Sequence, residues 1–314
     1  MRVVRMKIVF MGTPDFAANI LQKLIDEQHN IALIVSQPDR PVGRKKELFP
    51  TAVKKVALEH TIPVFQPEKI KDDYQAILDA NPDIIITAAY GQLIPKNLLD
   101  APRLGCINVH ASLLPKYRGG APIHQAIING ESEAGVTIMY MEMAMDTGDI
   151  IAQKSFPILD TDDVGILFEK LSEVGANLLV ETLPLLKNGT AKRAPQDNEC
   201  ATYAWNIKRE QELIDWQKSA REVFNHIRGL HPWPVAYTTT NGVNVKVFKA
   251  IELYEEADGF AGRIVRVSSE GVDVVCGDGG VLRLLEIQIA GKRRMPLKDL
   301  LNGDHPFVAG EELD

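Results

Sequence analysis

Apolar runs alternate with segments of helical periodicity over the first half of the chain. Residues 7–11, 30–36 and 83–89 are short and nearly continuously apolar, which is typical of buried strands. Helical spacing separates them, for example over residues 51–59. Strands that alternate with helices form doubly wound, mostly parallel sheets, and such sheets bind ligands at the carboxyl ends of their strands. We therefore predict an α/β fold for this half of the chain.

In the second half of the chain, the spacing of apolar residues changes from alternating strands and helices to one long helix and then to a series of short strands. Residues 161–187 predict one long helix, which Pro184 kinks or ends early. Polar and turn-forming residues follow, and we place a linker at 189–207, between a Rossmann-like catalytic domain at 6–188 and a second domain at 208–314. Short strand-like runs in the second domain are separated by Asn-Gly, Glu-Gly and Asp-Gly-Gly turns. About five such strands predict a small OB-like β-barrel, a fold that often binds nucleic acid.

The predicted strand at 106–110, with the sequence Cys-Ile-Asn-Val-His, contains two polar residues. Asn108 and His110 project from the same face, about 6.6 Å apart at Cα, and could flank a planar carbon centre. Asp146 is the candidate third group. It lies in a predicted tight turn at 145–149, where Gly148 is free to take a positive φ. Without further evidence, purely structural roles fit equally well. Asn108 and His110 could cap the end of the strand and hydrogen-bond to the next loop, and Asp146 could hydrogen-bond to the backbone of its own turn.

Two loops near the amino terminus carry candidate anion sites. Residues 12–16 open a helix that Thr13 can cap, and a helix N-terminus there could hold an anion. The Gly-x-Gly-x-x-Gly fingerprint is absent, so nothing supports an NAD site. Residues 37–46 break regular structure and form a loop that is either solvated or in contact with phosphates. Its basic residues are Arg40, Arg44, Lys45 and Lys46.

The net charge and the cysteine content exclude some classes of function. A formal charge of −7 over 314 residues excludes a generally basic surface, so any nucleic-acid contact must be local. Such local clusters are Lys208-Arg209 and Lys292-Arg293-Arg294. The three cysteines form no Cys-x-x-Cys pair, which indicates reduced thiols and no metal site. With neither a signal peptide nor a membrane span in the pattern, we expect a cytoplasmic monomer whose natural start is Met1 or Met6.

Taken together, these motifs resemble the folate-dependent formyltransferase family. The central resemblance lies in Asn108, His110, Ser-Leu-Leu-Pro at 112–115, Arg-Gly at 118–119 and Asp-Thr-Gly-Asp at 146–149. The loop at 37–46, Pro-Trp-Pro at 232–234 and the second domain resemble the tRNA-modifying members of the family. The similar segments cover nearly the whole length from Met6 onward.

The resemblance implies a role for each matched position. The implied catalytic residues are Asn108, His110 and Asp146. The implied formyl donor is 10-formyltetrahydrofolate, and the implied acceptor is initiator methionyl-tRNA. The implied folate-binding residues are Ser112, Leu113, Leu114 and Pro115, with Tyr90, Gly91, Leu93 and Ile94 beside the pterin. The expected tRNA contacts are Arg40, Arg44, Lys45, Lys46, Lys208, Arg209, Lys292, Arg293 and Arg294.

The expected chemistry is attack of a neutral amine on the formyl carbon through a tetrahedral intermediate. Asn108 can donate a hydrogen bond to the oxygen that becomes negative. His110 acts either as an imidazolium that donates a second hydrogen bond or as an imidazole that accepts the proton of the amine. Cys106 lies about 13 Å from His110 at Cα in a strand, too far for a thiol nucleophile activated by that histidine.

Three other functions fit parts of the sequence. Formyl transfer to a small amine fits the catalytic motifs, although the second domain and the basic loop weigh against it. A catalytically silent tRNA-binding protein fits the second domain, and the intact Asn-His-Asp set argues against it. A dinucleotide oxidoreductase is the weakest of the three because the glycine fingerprint is absent.

Overall fold

The structure is a computed structural model that describes residues 6–42, 47–303 and 305–314. It divides into two compact units. Unit 1 contains the described residues up to Pro122, together with Ala134–Phe156 and Phe168–Ala204. Unit 2 contains Ile123–Glu133, Pro157–Leu167 and Trp205–Asp314. The second unit therefore includes two short segments from the range predicted as the first domain, and the domain boundaries placed at 188 and 208 stay predictions.

A seven-stranded sheet forms the centre of unit 1, in the order β5-β2-β1-β6-β7-β8-β9. The first nine strands are β1 Lys7–Gly12, β2 Asn30–Val35, β3 Arg40–Val42, β4 Glu47–Phe49, β5 Val64–Phe65, β6 Ile84–Ala88, β7 Cys106–His110, β8 Glu133–Tyr140 and β9 Ile150–Pro157. β1 pairs in parallel with β2 and β6, and β6 pairs in parallel with β7, whereas β7 and β8 are antiparallel. The predicted mostly parallel sheet is confirmed. Its strands β1, β6 and β7 end at one edge, where ligands bind in this class of fold.

Helices connect these strands. They are α1 Asp15–Asp26, α2 Ala52–Glu59, α3 Gln75–Asp79, α4 Lys96–Leu99, α5 Pro122–Ile128 and α6 Val164–Asn188. In α1 the apolar residues recur at helical spacing, and this face is buried through Phe16, Ile20 and Leu24. Pro184 lies inside α6, which continues to Asn188, so the proline does not end the helix.

Two local predictions near the amino terminus are wrong. Thr13 does not cap α1, whose N-cap is Pro14. Instead its hydroxyl donates to the Tyr90 carbonyl at 3.3 Å, because the end of β6 lies beside it. The loop at 37–46 is not wholly irregular either. Its described residues from Arg40 to Val42 form β3, which pairs with β4 as an antiparallel hairpin.

Unit 2 is built on antiparallel strands. They are β10 Tyr237–Thr240, β11 Val243–Glu256, β12 Ile264–Ser268, β13 Gly271–Val275, β14 Gly280–Ile289 and β15 Met295–Pro296, with helices α7 Ala220–Gly229 and α8 Leu297–Leu300. Five strands follow the order β10-β11-β14-β13-β12, and β15 pairs with β14. The predicted small β-domain after the α/β sheet is confirmed as an antiparallel domain, and its closure into an OB-like barrel stays a prediction. Within the described ranges, no helix is both long and apolar enough to cross a membrane.

Candidate active site

The centre of the site is the carboxyl end of β7. Four of the five residues of this strand are buried, and Asn108 alone is half-buried. β7 lies between β6 and β8, with Thr87 opposite Asn108 on one side and Thr137 opposite His110 on the other. Alternation along the strand places Asn108 and His110 on one face, as the sequence predicts.

The Asn108 side chain is oriented by a threonine of the neighbouring strand. Thr87 donates a hydrogen bond from its hydroxyl to Asn108 Oδ1 at 2.8 Å. Thr87 is buried, so this contact is shielded from water. Because the oxygen of the amide is engaged, the Asn108 NH₂ group remains available to donate to a substrate oxygen.

His110 is held by the loop that follows it. Its Nε2 lies 3.0 Å from the backbone carbonyl of Tyr117, which can only accept a hydrogen bond. Nε2 therefore carries a proton, and the neutral ring presents its lone pair at Nδ1. Nδ1 lies 3.8 Å from Asp146 Oδ1. This distance exceeds a hydrogen bond, so the pair is in electrostatic contact only.

Asp146 is fixed by its turn and by a backbone amide. Its φ is +54°, in the left-handed region that aspartate tolerates better than most residues. Its Oδ2 accepts a hydrogen bond from the Gly119 amide at 2.8 Å. The positive φ expected of Gly148 thus falls on Asp146 instead. Gly148 is needed for a close approach, because a Cβ there would lie 1.9 Å from the Tyr140 carbonyl oxygen.

The predicted folate loop at 112–115 is held in place by hydrogen bonds to Lys116, Thr137 and Gln153. Ser112 is buried and donates from Oγ to the Lys116 carbonyl at 2.7 Å. Leu114 is buried, and its amide and carbonyl bond to Thr137 Oγ1 and Gln153 Nε2. The side chains of Leu113 and Pro115 are half-buried. Contact of this loop with a folate stays a prediction.

The four residues expected beside the pterin divide into two pairs. Tyr90 and Ile94 are buried in a hydrophobic cluster of unit 1, and burial raises the pKa of the Tyr90 phenol to about 12. Gly91 and Leu93 are exposed just beyond the end of β6. Tyr90 reaches the strand edge through its backbone, because its carbonyl accepts from Gln37 Nε2 at 3.1 Å. Gly91 and Leu93 are therefore the members of this set that are accessible to a ligand.

The predicted tRNA contacts differ in their partners. Arg40, Arg209 and Arg294 each pair with a carboxylate, namely Glu68, Glu212 and Glu286. Lys208, Lys292 and Arg293 are exposed and have no ion pair with any described residue. Arg44, Lys45 and Lys46 lie outside the described residues.

Cys106 is a structural residue of β7. Its Sγ donates to the Leu98 carbonyl at 3.4 Å, and burial raises the pKa of the thiol to about 12. A thiol in this environment stays protonated at neutral pH and is a poor nucleophile. Within the described part of the chain, no group of three His, Cys, Asp or Glu side chains could hold a metal ion.

Residues to which the sequence prediction assigns no role complete the site. Thr87, Tyr117, Gly119 and Gln196 each contact a predicted catalytic residue or its turn. Thr87 carried a signal, since it is a polar residue in an otherwise apolar strand run. Gly119 belongs to the Arg-Gly motif of the resemblance, but that motif assigns it no contact. Tyr117 and Gly119 act through backbone groups, and Gln196 lies in the predicted linker, so the sequence does not predict their contacts.

The chain is similar in sequence to known formyl transferases. The sequence model of the family described as formyl transferase matches residues 6–183. A second model, described as the formyl transferase C-terminal domain, matches residues 206–305. Methionyl-tRNA formyltransferase of Staphylococcus epidermidis is 52% identical over 309 residues, which are 98% of this chain and 99% of that protein. The Bacillus subtilis protein of the same name is 50% identical over 309 residues, covering 98% and 97%.

Solved structures share the fold at low sequence identity. The sugar 3N-formyl transferase WlaRD, crystallised with dTDP and 5-N-formyl-THF, aligns with a TM-score of 0.67 and 22% identity over 92% of this chain and 99% of its own. HypX from Aquifex aeolicus in complex with tetrahydrofolic acid aligns with a TM-score of 0.65 and 19% identity over 95% of this chain and 47% of its own. These similarities concern the fold alone.

Proposed function

This chain belongs to the formyl transferase family, and we propose that it transfers the formyl group of 10-formyltetrahydrofolate to the free amino group of methionine on initiator methionyl-tRNA. Relatives that carry this activity in their names match almost the whole chain at about half identity. In the structure, the observation that carries the proposal is the approach of His110 Nδ1 to Asp146 Oδ1, at 3.8 Å beside Asn108. These groups can stabilise a carbonyl addition and move its protons.

Asn108 serves as the donor to the developing oxyanion. When the amine adds to the formyl carbon, negative charge collects on the carbonyl oxygen. The amide of Asn108 is already oriented by Thr87, so it need not reorganise during the reaction. A preorganised donor of this kind contributes about 3 kcal/mol to transition-state stability. Asn108 is also half-buried in a strand that is otherwise buried, so a substrate can reach it.

His110 and Asp146 handle the proton that the amine loses. Nε2 is committed to the Tyr117 carbonyl, so the exchangeable position is Nδ1, on the side of Asp146. A neutral His110 accepts the proton there, and the Asp146 carboxylate stabilises the resulting positive charge. The tautomer assigns this step to Nδ1, because a ring held through Nε2–H presents a lone pair there. The tetrahedral intermediate then collapses, the bond between the formyl carbon and the folate nitrogen breaks, and that nitrogen takes up the proton from His110, so tetrahydrofolate leaves and the ring returns to its neutral form.

The donor would lie at the strand edge formed by β6 and β7. Gly91 and Leu93 are exposed at the end of β6, and Leu113 is half-buried in the loop after β7. Apolar side chains beside polar backbone groups fit a pterin, which has a flat ring with hydrogen-bonding edges. When bound there, the folate supplies the activated formyl group. Tyr90, Ile94 and Leu114 are buried and so are not accessible to the donor.

The acceptor tRNA would be bound by local basic groups. Lys208, Lys292 and Arg293 have no ion pair within the described ranges, so phosphate binding costs them no existing contact. Arg40 is largely exposed in its pair with Glu68, and such surface pairs exchange readily for a phosphate. The choice of initiator over elongator tRNA, the monomeric state and the cytoplasmic location stay predictions.

A formylation assay with three acceptors tests the proposal. The purified chain is supplied with 10-formyltetrahydrofolate and with initiator methionyl-tRNA, elongator methionyl-tRNA or a dTDP-linked amino sugar. We expect rapid donor-dependent formylation of the initiator species. Formylation of the amino sugar alone would instead assign the chain to small-amine transfer, and no formylation of any acceptor would reduce it to a binding protein.

Variants test the catalytic assignment within the same assay. We expect Asn108→Ala to lower the single-turnover rate by about 10²- to 10³-fold, with the affinity for tRNA unchanged. Asp146→Asn retains an oxygen for the Gly119 amide but loses the charge, so it too lowers the rate and not the affinity. Asn30→Ala is the control, because Asn30 is exposed at the amino end of β2, away from the strand ends that form the site. A near-normal rate in either site variant removes that residue from the catalytic set.

A further inference from the structure

The segment at 193–204 lies between the parts of the chain that the two family models match, which end at 183 and resume at 206. The sequence predicts it as part of a linker. In the structure it is hydrogen-bonded to the turn that carries Asp146. The Ile150 amide donates to the Ala194 carbonyl at 2.8 Å, and the Ala194 amide donates back at 2.9 Å. Arg193 pairs with Asp149 at 2.5 Å. This segment, 193–204, is termed the strap below.

The other end of the strap is bonded to the loop after β7. Thr202 accepts a hydrogen bond at Oγ1 from the Tyr117 amide at 2.9 Å and at its carbonyl from the Arg118 amide at 2.9 Å. The Ala204 amide donates to the Arg118 carbonyl at 2.7 Å. A Cβ on Gly119 would lie 2.6 Å from the Ala204 carbonyl oxygen. The strap therefore joins the loop that holds His110 to the turn that holds Asp146.

Gln196 is the side chain of the strap that contacts the catalytic turn directly. Its Nε2 donates to the backbone carbonyls of Asp146 at 2.8 Å and of Gly148 at 2.7 Å. Its Oε1 accepts from Arg118 Nε at 3.1 Å and from Nη2 at 2.8 Å. Arginine can only donate and carbonyls can only accept, so both neighbours enforce the same orientation of this amide.

Arg118 fixes the amide from a buried position. It is only 2% exposed, and its guanidinium bonds to the neutral oxygens of Gln196 and Asn198. A buried guanidinium in such contacts has little freedom to move, because any other arrangement would leave donors without partners. Arg118 thus holds Gln196, and Gln196 holds the turn.

These contacts support the backbone conformation of Asp146. With φ at +54° the residue occupies a region that costs free energy unless neighbouring groups support it. Gln196 bonds its carbonyl while the Gly119 amide bonds its carboxylate. The two contacts together set the direction in which the carboxylate faces His110.

We propose that Gln196 is a positioning residue for formyl transfer, acting through the backbone of the Asp146 turn to hold the carboxylate in place against His110. The inference rests on the proposed function, because it concerns the same reaction. It also assigns a role to the strap, which is otherwise a connection between two domains. Misplacement of a catalytic group by about 1 Å can cost about 100-fold in rate.

The decisive variant is Gln196→Glu. It keeps an oxygen for Arg118 but replaces the donated NH₂ group with an oxygen that faces two carbonyls. We expect kcat with initiator methionyl-tRNA to fall by about 10- to 100-fold, while both KM values and the melting temperature stay near those of the wild type. Glu199→Gln is the control, since Glu199 is exposed in the strap, and its side chain contacts none of the residues above.

A double-variant measurement separates positioning from a general structural effect. In an Asp146→Asn background, Gln196→Glu should lower the single-turnover rate by less than about twofold, because there is no longer a carboxylate to position. An equal loss in both backgrounds would overturn the proposal, as would a wild-type rate in the single variant. If Gln196→Glu lowers the melting temperature, Gln196→Met removes the donation without adding charge, and the same outcomes apply. Wild-type activity is measured first, so a failure of the proposed function is recognised separately.

Discussion

His110 donates a hydrogen bond from Nε2 to the backbone carbonyl of Tyr117 at 3.0 Å. The bond fixes the tautomer of the neutral ring and leaves its lone pair at Nδ1, which lies on the side of Asp146. In the proposed reaction, the loop after β7 thus decides which nitrogen is available, and it does so through a main-chain oxygen.

The two ring nitrogens of His110 should have separable effects on stability and on rate. In His110→Gln the amide nitrogen can replace Nε2 as the donor to Tyr117, but nothing replaces Nδ1. We expect a melting temperature near that of the wild type and a single-turnover rate lower by about 10²- to 10⁴-fold. Thermal unfolding and rapid-quench formylation measure the two effects. A rate close to that of the wild type would remove proton transfer from the role of His110.

Thr87 should matter through Asn108. Thr87→Val removes the hydroxyl that donates to Asn108 Oδ1 and leaves the volume of the side chain nearly unchanged. We expect the rate to fall about fivefold, the equivalent of a hydrogen bond of about 1 kcal/mol, while Thr87→Ser retains the wild-type rate. Thr182→Val is the matched control, because Thr182 is equally buried but donates within α6. Equal losses in Thr87→Val and the control would attribute the effect to stability.

Salt dependence should distinguish the basic residues of unit 2. Lys292 and Arg293 are without an ion pair among described residues, whereas Arg294 makes two contacts of 2.8 Å with Glu286. We expect Lys292→Ala with Arg293→Ala to reduce the slope of log K for tRNA against log salt by about 1 to 2. Arg294→Ala should change it less, because Arg294 is already neutralised. The measurement is a binding titration at several salt concentrations, and a larger effect of Arg294 would reverse this ranking.

A buried carboxylate in unit 2 should make its stability depend on pH. Burial acts to raise the pKa of Asp273, but its hydrogen bonds and charge contacts with Arg283 and Arg266 outweigh burial and lower the pKa below the usual aspartate range. A lowered folded-state pKa adds stability above the unfolded-state pKa, and this stability is lost as the pH falls through the folded-state value.

The corresponding variant is Asp273→Asn. We expect it to lower the free energy of unfolding of unit 2 by about 2 kcal/mol at pH 7, with the difference from the wild type shrinking as the solution is acidified below about pH 4. Tryptophan fluorescence during urea unfolding reports on this unit, because Trp205, Trp216 and Trp233 all belong to it. A difference that is constant from pH 7 to pH 3 would contradict the assigned ion pairs.

The sequence by itself determined the fold class and the face of β7 that carries the candidate catalytic residues Asn108 and His110. Period-two alternation along β7 is a local property, so the shared face of Asn108 and His110 could be read directly from five residues. Apolar runs separated by helical spacing likewise predicted the mostly parallel sheet. Asp146 could be proposed because a motif resemblance adds information that spacing alone does not contain.

Only the tertiary structure decided how these groups are held. Thr87 contacts Asn108 from 21 residues away, and Gln196 contacts Asp146 from 50 residues away. Such contacts depend on the order of the strands in the sheet and on backbone atoms. Backbone atoms are the same in every residue type, so the sequence pattern does not indicate which of them will form a contact. The same reason explains why a stretch read as a linker is a strap, and why the positive φ belongs to Asp146 and not to Gly148. Local pattern set the residues in place, and long-range hydrogen bonding gave them their orientation.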